Sequence, residues 1–157
     1  MQQQRRTHLS GRGTESETVI ASYNVHKCVG TDKRFDPDRT AEVIREIDAD
    51  VIALQEADRR FGDRAGLMDL TRVEGESGLI AVGPGGRPKS HGWYGNLLLV
   101  RQGVVRDLRR IRLPGVEPRG ALVVDLELPS SPFRIVTTHL GLLRRSRAQQ
   151  AKAILQY

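Results

Sequence analysis

The sequence has a single cysteine, Cys28, so no internal disulfide can staple it and a reducing compartment suits it. An ordinary half-buried thiol is the expected state of Cys28, since a nucleophile would need an activating base nearby. Aromatic residues make up only 4% of the chain, and no aromatic-basic interleaving is present for stacking the bases of a single strand. No apolar run approaches the length that crosses a bilayer, and Met1-Gln2-Gln3-Gln4-Arg5-Arg6 leads into no apolar secretion segment. A cytoplasmic protein is the expectation. Glycine loops that cradle phosphates are missing too: Gly83-Pro84-Gly85-Gly86-Arg87-Pro88 has neither the dinucleotide spacing nor a Gly-Lys-Ser. There is no His-Glu-x-x-His and no cysteine pair, so nucleoside triphosphate and zinc chemistry are both disfavoured.

What is present is the composition of an ordinary globular domain, 38% hydrophobic and 28% charged over 157 residues, enough for one real core. The formal charge of +6 is uneven, because residues 1–100 carry 14 Lys and Arg against 15 Asp and Glu, whereas residues 101–157 carry 11 against 4. Such a block favours a polyanionic partner, nucleic acid or an anionic lipid surface, and a basic surface kept for solubility explains it equally well. Residues 1–17 are polar and without periodicity and read as a disordered tail, in which His8 has no role. Residues 18–157 form the domain.

The domain opens on a β-branched strand over 18–26, polar on alternate positions, which sets Asn24 near its end. A loop over 27–35 leads to a helix with clear punctuation: Asp36 suits the N-cap and Pro37 the first turn, and Thr40, Ala41, Ile44 and Ile47 recur on one face. The helix feeds a second strand over 50–56, with Ile52 and Leu54 on one side, Val51 and Ala53 on the other, and Glu56 at its C-terminal end. Strand, helix, strand predicts a parallel crossover in which the ends bearing Asn24 and Glu56 converge. A carboxylate placed there is a natural ligand for a hard cation, although on its own it can equally just stop a strand.

Residues 67–73 predict a short helix, 78–82 a strand and 83–88 a loop. From there the chain reads as strands: an apolar one over 94–101, one after Gly103, one over 121–128 with Leu122, Val124, Leu126 and Leu128 on one face, and one over 132–139. His139 closes the last strand, where an imidazole can donate to a phosphoryl oxygen, although a lone strand-end histidine is more often structural. Ala148, Ala151 and Leu155 then recur at helical spacing, with no Gly, Asn or Pro stop signal after them.

Ser22-Tyr23-Asn24-Val25-His26, followed at this distance by Leu54-Gln55-Glu56, resembles the first two signatures of the endonuclease/exonuclease/phosphatase superfamily. Tyr94 to Leu98, Glu117 to Leu122, Thr138 to Leu140 and the Arg147-x-x-Gln150 helix match its further motifs in order. The resemblance implies an α/β fold, part of a four-layer α-β-β-α sandwich, and a hydrolase of phosphoesters that uses Mg2+ or Mn2+. It implies Glu56 and Asn24 at the metal, and Asn24, Arg119 and His139 at the scissile phosphate, with Asn24, Glu56 and His139 as the catalytic set. The pattern continues in that superfamily into Gly-Asp-x-Asn and Ser-Asp-His segments that orient and activate water. Neither occurs in these 157 residues. The expectation is therefore a truncated member with little activity of its own. The alternatives are a non-catalytic basic module that binds nucleic acid or phosphate, and a phosphodiesterase of phospholipid headgroups. If part of one sheet is missing, the faces of Leu97 to Val100 and Leu122 to Leu128 should stand uncovered and promote self-association.

Overall fold

The computed structural model describes residues 17–59, 62–83 and 89–157. The predicted tail over 1–17 lies outside these residues except for Glu17, and the predicted loop over 83–88 lies outside them except for Gly83.

Strand β1 (Ile20–Asn24) and strand β2 (Val51–Gln55) pair in parallel with Asn24 opposite Gln55. Helix α1 (Pro37–Ile47) joins them. The Asp36 side chain accepts the Arg39 N–H at 2.9 Å, and Thr40, Ala41, Ile44 and Ile47 are the buried face, as their spacing predicts. Helix α2 (Leu70–Ser77) is capped by Asp69, which takes the N–H groups of Thr71 and Arg72 at 3.0 and 3.2 Å. It therefore runs later than the predicted 67–73. Strand β3 (Ile80–Ala81) is only a fragment of the strand predicted over 78–82.

Strand β4 (Leu97–Val100) completes a sheet in the order β1-β2-β4-β3, and β5 (Val104–Leu113), β6 (Arg119–Glu127) and β7 (Pro132–Thr138) form a second, antiparallel one. The period-2 alternation of β2 separates two cores. Ile52 and Leu54 pack with Leu97 and Leu99 under α1 and α2, whereas Val51 and Ala53 pack with Leu98, Leu122, Val124 and Leu126 between the sheets. Helix α3 (Arg144–Ile154) lies over the outer face of the second sheet, where Ala153 and Ile154 meet Ile111, Leu113, Ala121 and Val123. The order of layers is helix, sheet, sheet, helix.

Three expectations are corrected. The faces of Leu97 to Val100 and Leu122 to Leu128 do not stand uncovered: Leu98 and Val124 are fully buried and Val100, the most exposed of the apolar set, is at 7%. Each sheet covers the other, so self-association through an uncovered sheet loses its surface. Strand β4 begins at Leu97 rather than at position 94, because Tyr94 and Gly95 take left-handed backbone (φ 52° and 80°) in a turn closed by Trp93 and Asn96. The buried face of α3 is Ser146 and Gln150 rather than Ala148 and Ala151, since Gln150 accepts the Gly141 N–H at 2.8 Å and donates to the Pro114 carbonyl at 3.0 Å. Two buried backbone groups outweigh a pair of methyls.

Candidate functional site

At the C-terminal ends of β1 and β2 the backbone leaves the usual regions of conformational space. His26, Lys27 and Cys28 have φ of 48°, 57° and 59°, and Glu56 follows β2 at 56°. Left-handed backbone costs a non-glycine residue roughly 1–2 kcal/mol, so surrounding contacts must hold it. They do: Cys28 is 2% exposed and locks the turn into the core, its N–H bonds the Val25 carbonyl at 2.9 Å, and the Lys27 N–H bonds the Glu56 carbonyl at 3.2 Å. The turn ends β1 two residues earlier than the sequence predicts. Its effect is to bring Lys27 across to Glu56, with Nζ 3.7 Å from Oε2.

Glu56 is packed from the other side by the turn before β4. The Ala57 N–H donates to the Gly95 carbonyl at 3.0 Å, and a Cβ on Gly95 would sit 3.5 Å from the Glu56 Cα in left-handed backbone. That distance is ordinary van der Waals contact, so it is the left-handed backbone at φ 80° that favours glycine. Asp58, 3% exposed, fixes the approach to that turn by accepting from Ser90 Oγ at 2.6 Å and from the N–H groups of His91 and Gly92 at 3.0 and 3.2 Å.

The second sheet delivers the remaining groups. His139 follows β7, and its Nδ1 lies 3.6 Å from Glu56 Oε1. Burial pushes the imidazole below its ordinary value, the Arg119 charge adds to this, and the Glu56 charge opposes it. A neutral ring is therefore favoured, and the contact with Glu56 is polar rather than a full ion pair. Arg119 opens β6 and donates Nη2 to Glu117 Oε2 at 2.7 Å, while Glu117 Oε1 accepts the Leu142 N–H at 2.8 Å. Arg119 Nε and His139 Nδ1 are buried without a hydrogen-bond partner among the described residues. Unmet buried polar atoms of this kind are rare and suit an incoming anion.

Glu56, Arg119 and His139 thus line one small cavity of about 50 Å³, together with Lys27, Asp58, Arg59, Arg64, Tyr94, Gly95 and Pro118. Three of the four residues singled out in the sequence come together. Asn24 stands at the end of β1 as expected, but its Oδ1 accepts the His26 N–H at 3.0 Å and it does not line this cavity. Lys27, Arg59, Arg64 and Tyr94 were not singled out as site residues by the sequence. Their signal was proximity alone, since each lies within eight residues of Asn24 or Glu56 or in the Tyr-Gly-Asn motif.

Among the described residues no group of three or more His, Cys, Asp and Glu gathers as a metal cage. Magnesium does not require one: it keeps several waters and binds through one or two carboxylates plus substrate phosphate. Glu56, 24% exposed in its side chain with one oxygen toward Lys27 and one toward His139, fits that pattern as the single anionic ligand.

No curated protein matches the chain in sequence. Solved structures match its fold. The endonuclease/exonuclease/phosphatase protein of Beutenbergia cavernae DSM 12333 has a TM-score of 0.63 at 21% identity, over 88% of this chain and 43% of that one. TDP2 of D. rerio, solved with a single-strand DNA product, has 0.63 at 16%, over 87% and 52%. ANGEL2, a 2′,3′-cyclic phosphatase solved with adenosine-2′,3′-vanadate, has 0.62 at 14%, over 96% and 49%. The chain spans about half the length of these proteins. The family model for the endonuclease/exonuclease/phosphatase family matches residues 21–157, and to that family the chain belongs.

Proposed function

We propose that the chain carries the metal and phosphate half of a divalent-metal-dependent phosphoester hydrolase, with Glu56 as the ligand of Mg2+ or Mn2+ and Arg119 and His139 as the groups that grip the scissile phosphate. The carrying observation is that three side chains from the ends of β2, β6 and β7, drawn from two facing sheets, line one cavity with two unmet polar atoms among them. The metal, when bound, supplies Lewis-acid polarisation of a phosphoryl oxygen. Arg119 offers its planar fork to two phosphate oxygens and is held in place by Glu117. His139, with its ring kept neutral, donates one N–H to a third oxygen and hands no net charge to the cavity. Asn24 is a secondary contact: its Oδ1 accepts the His26 N–H, and it lies outside the cavity that the other three line. That the relatives are solved with DNA product and an adenosine vanadate supports a nucleic acid or nucleotide phosphoester as the substrate class. The buried, unpaired Cys28 supports a cytoplasmic setting.

The test is calorimetric binding of orthovanadate in the presence of Mn2+. Arg119→Gln and His139→Ala should each weaken it by at least about tenfold. Equal binding by the variants would remove both residues from the site. A second reading, a non-catalytic phosphate-binding module, draws on the basic excess of residues 101–157. Binding of vanadate with no turnover of bis(p-nitrophenyl) phosphate would favour it.

A further inference from the structure

The cavity extends past Arg119 and His139 to Arg59, Arg64 and Tyr94. Both arginines stand on the loop that leaves β2. Asp58 and Gly66 form an antiparallel bridge and the Arg59 N–H bonds the Ala65 carbonyl at 2.9 Å, so the loop doubles back as a hairpin. The three hydrogen bonds to buried Asp58 fix its base. Arg64 lies with its guanidinium carbon 4.4 Å from the centre of the Tyr94 ring, and both residues hold left-handed backbone, φ 53° and 52°.

A guanidinium stacked on an aromatic face uses its π-surface for that contact and keeps its in-plane N–H donors available. Among the described residues no carboxylate lies within ion-pair distance of Arg59 or Arg64, and Asp63, the acid of the same loop, pairs instead with Lys89 at 3.5 Å. Elsewhere Arg39, Arg72, Arg101 and Arg134 each have a carboxylate partner. Arg59 and Arg64, two cations without a carboxylate, thus share one cavity wall, beside the group proposed above to bind the scissile phosphate.

From this we infer that Arg59, Arg64 and Tyr94 form a second anion subsite that takes another phosphoryl group of the same substrate, with Tyr94 as the platform that holds Arg64. The inference rests on the phosphate reading of Glu56, Arg119 and His139 and deepens it: ligands with two phosphoryl groups are selected over ligands with one. The second group can belong to a diphosphate or to the next phosphodiester of a nucleic acid strand, and both present the same oxyanion to the two guanidinium forks.

The test is calorimetry on the whole chain with Mn2+, using inorganic phosphate, pyrophosphate and the 5′-phosphorylated dinucleotide pTpT as ligands. The wild-type chain should bind pyrophosphate or pTpT at least about tenfold more tightly than phosphate. The R59Q/R64Q double variant should lose that preference while its affinity for inorganic phosphate stays within about twofold, which also reports that it is folded. A preference for pyrophosphate alone assigns contiguous phosphates, and one for pTpT alone assigns phosphates at nucleotide spacing. No preference in the wild-type chain, or a parallel loss for all three ligands in the variant, would overturn the subsite and leave the first site standing. Failure of the wild-type chain to bind inorganic phosphate at all would overturn the first site, and the subsite with it.

Discussion

Asn96 Nδ2 donates to the Gly120 carbonyl at 3.0 Å, and Asn96 is 1% exposed, so a buried amide at the start of β4 ties the first sheet to the second directly beside Arg119. The same nitrogen donates to the Trp93 carbonyl at 3.0 Å and so holds the turn that presents Tyr94. Asn96→Ala removes both bonds and opens a small void, at a cost of about 1–3 kcal/mol. The Gly120 carbonyl keeps a second donor, Thr138 Oγ1 at 3.0 Å, which limits the loss. Urea denaturation measures it, and an unchanged midpoint would show that the amide link is idle.

Gly120 itself is required by close approach. A Cβ there would lie 2.7 Å from Trp93 Nε1 and 2.7 Å from Tyr94 Cδ2. The Trp93 ring has little room to retreat, since Nε1 donates to the Ile111 carbonyl at 2.9 Å. Gly120→Ala should therefore destabilise by about 1–3 kcal/mol through overpacking and displace the Tyr94 wall of the cavity. A thermal melt matching the wild type would contradict this packing.

Gln150 fills the same kind of role under α3. It is fully buried and satisfies both Gly141 N–H and the Pro114 carbonyl. Gln150→Leu keeps the bulk and strands both groups, which should cost about 2 kcal/mol or more. The loop it secures runs from His139 into α3, so weaker vanadate binding should accompany the loss of stability. A variant with wild-type stability would mean that water replaces the amide.

Cys28 supplies a dependence on pH. Burial pushes its thiol above the ordinary value, with the Asp36 charge in the same direction and the Thr40 hydrogen bond against it. The folded chain then keeps a proton that the unfolded chain has lost, so stability declines as pH rises above the ordinary thiol range. Tyr23 moves the same way, chiefly through burial, so Cys28→Ala should flatten the alkaline decline only in part. Iodoacetamide should modify the native thiol at least about tenfold more slowly than the urea-unfolded one at the same pH. Equal rates would show that the turn at His26 to Cys28 opens readily.

Much of this architecture is legible in the sequence because it follows from periodicity and punctuation. The cap at Asp36, the buried stripe of α1, the two faces of β2 and the inward face of β6 all obey patterns that local chemistry enforces. Glu56, Arg119 and His139 are legible as strand-end residues within motifs; the antiparallel pairing of β6 with β7 sets the start of one beside the end of the other, and only the packing of the two sheets brings them to Glu56. The left-handed turn that carries Lys27 is not legible, because three successive non-glycine residues rarely take that backbone and it is held by the packing of Cys28 together with the carbonyls of Val25 and Glu56. Arg59 and Arg64 look like loop charges until the hairpin at Asp58 and Gly66 sets both at the cavity and Arg64 on the Tyr94 ring. The cover of the inner faces is not legible for a related reason: each strand shows which side is apolar, but only the assembled sheets show that the two apolar sides suffice for each other.

The most direct measurement is diffraction at the manganese absorption edge from crystals of the chain soaked with Mn2+ and phosphate. An anomalous peak is expected at ligand distance from the Glu56 carboxylate, with Lys27 Nζ moved off Oε2 and a phosphate held by Arg119 and His139. A peak elsewhere, or none, with Glu56 still in contact with Lys27 and His139 and the phosphate bound at another surface, would contradict the proposed site.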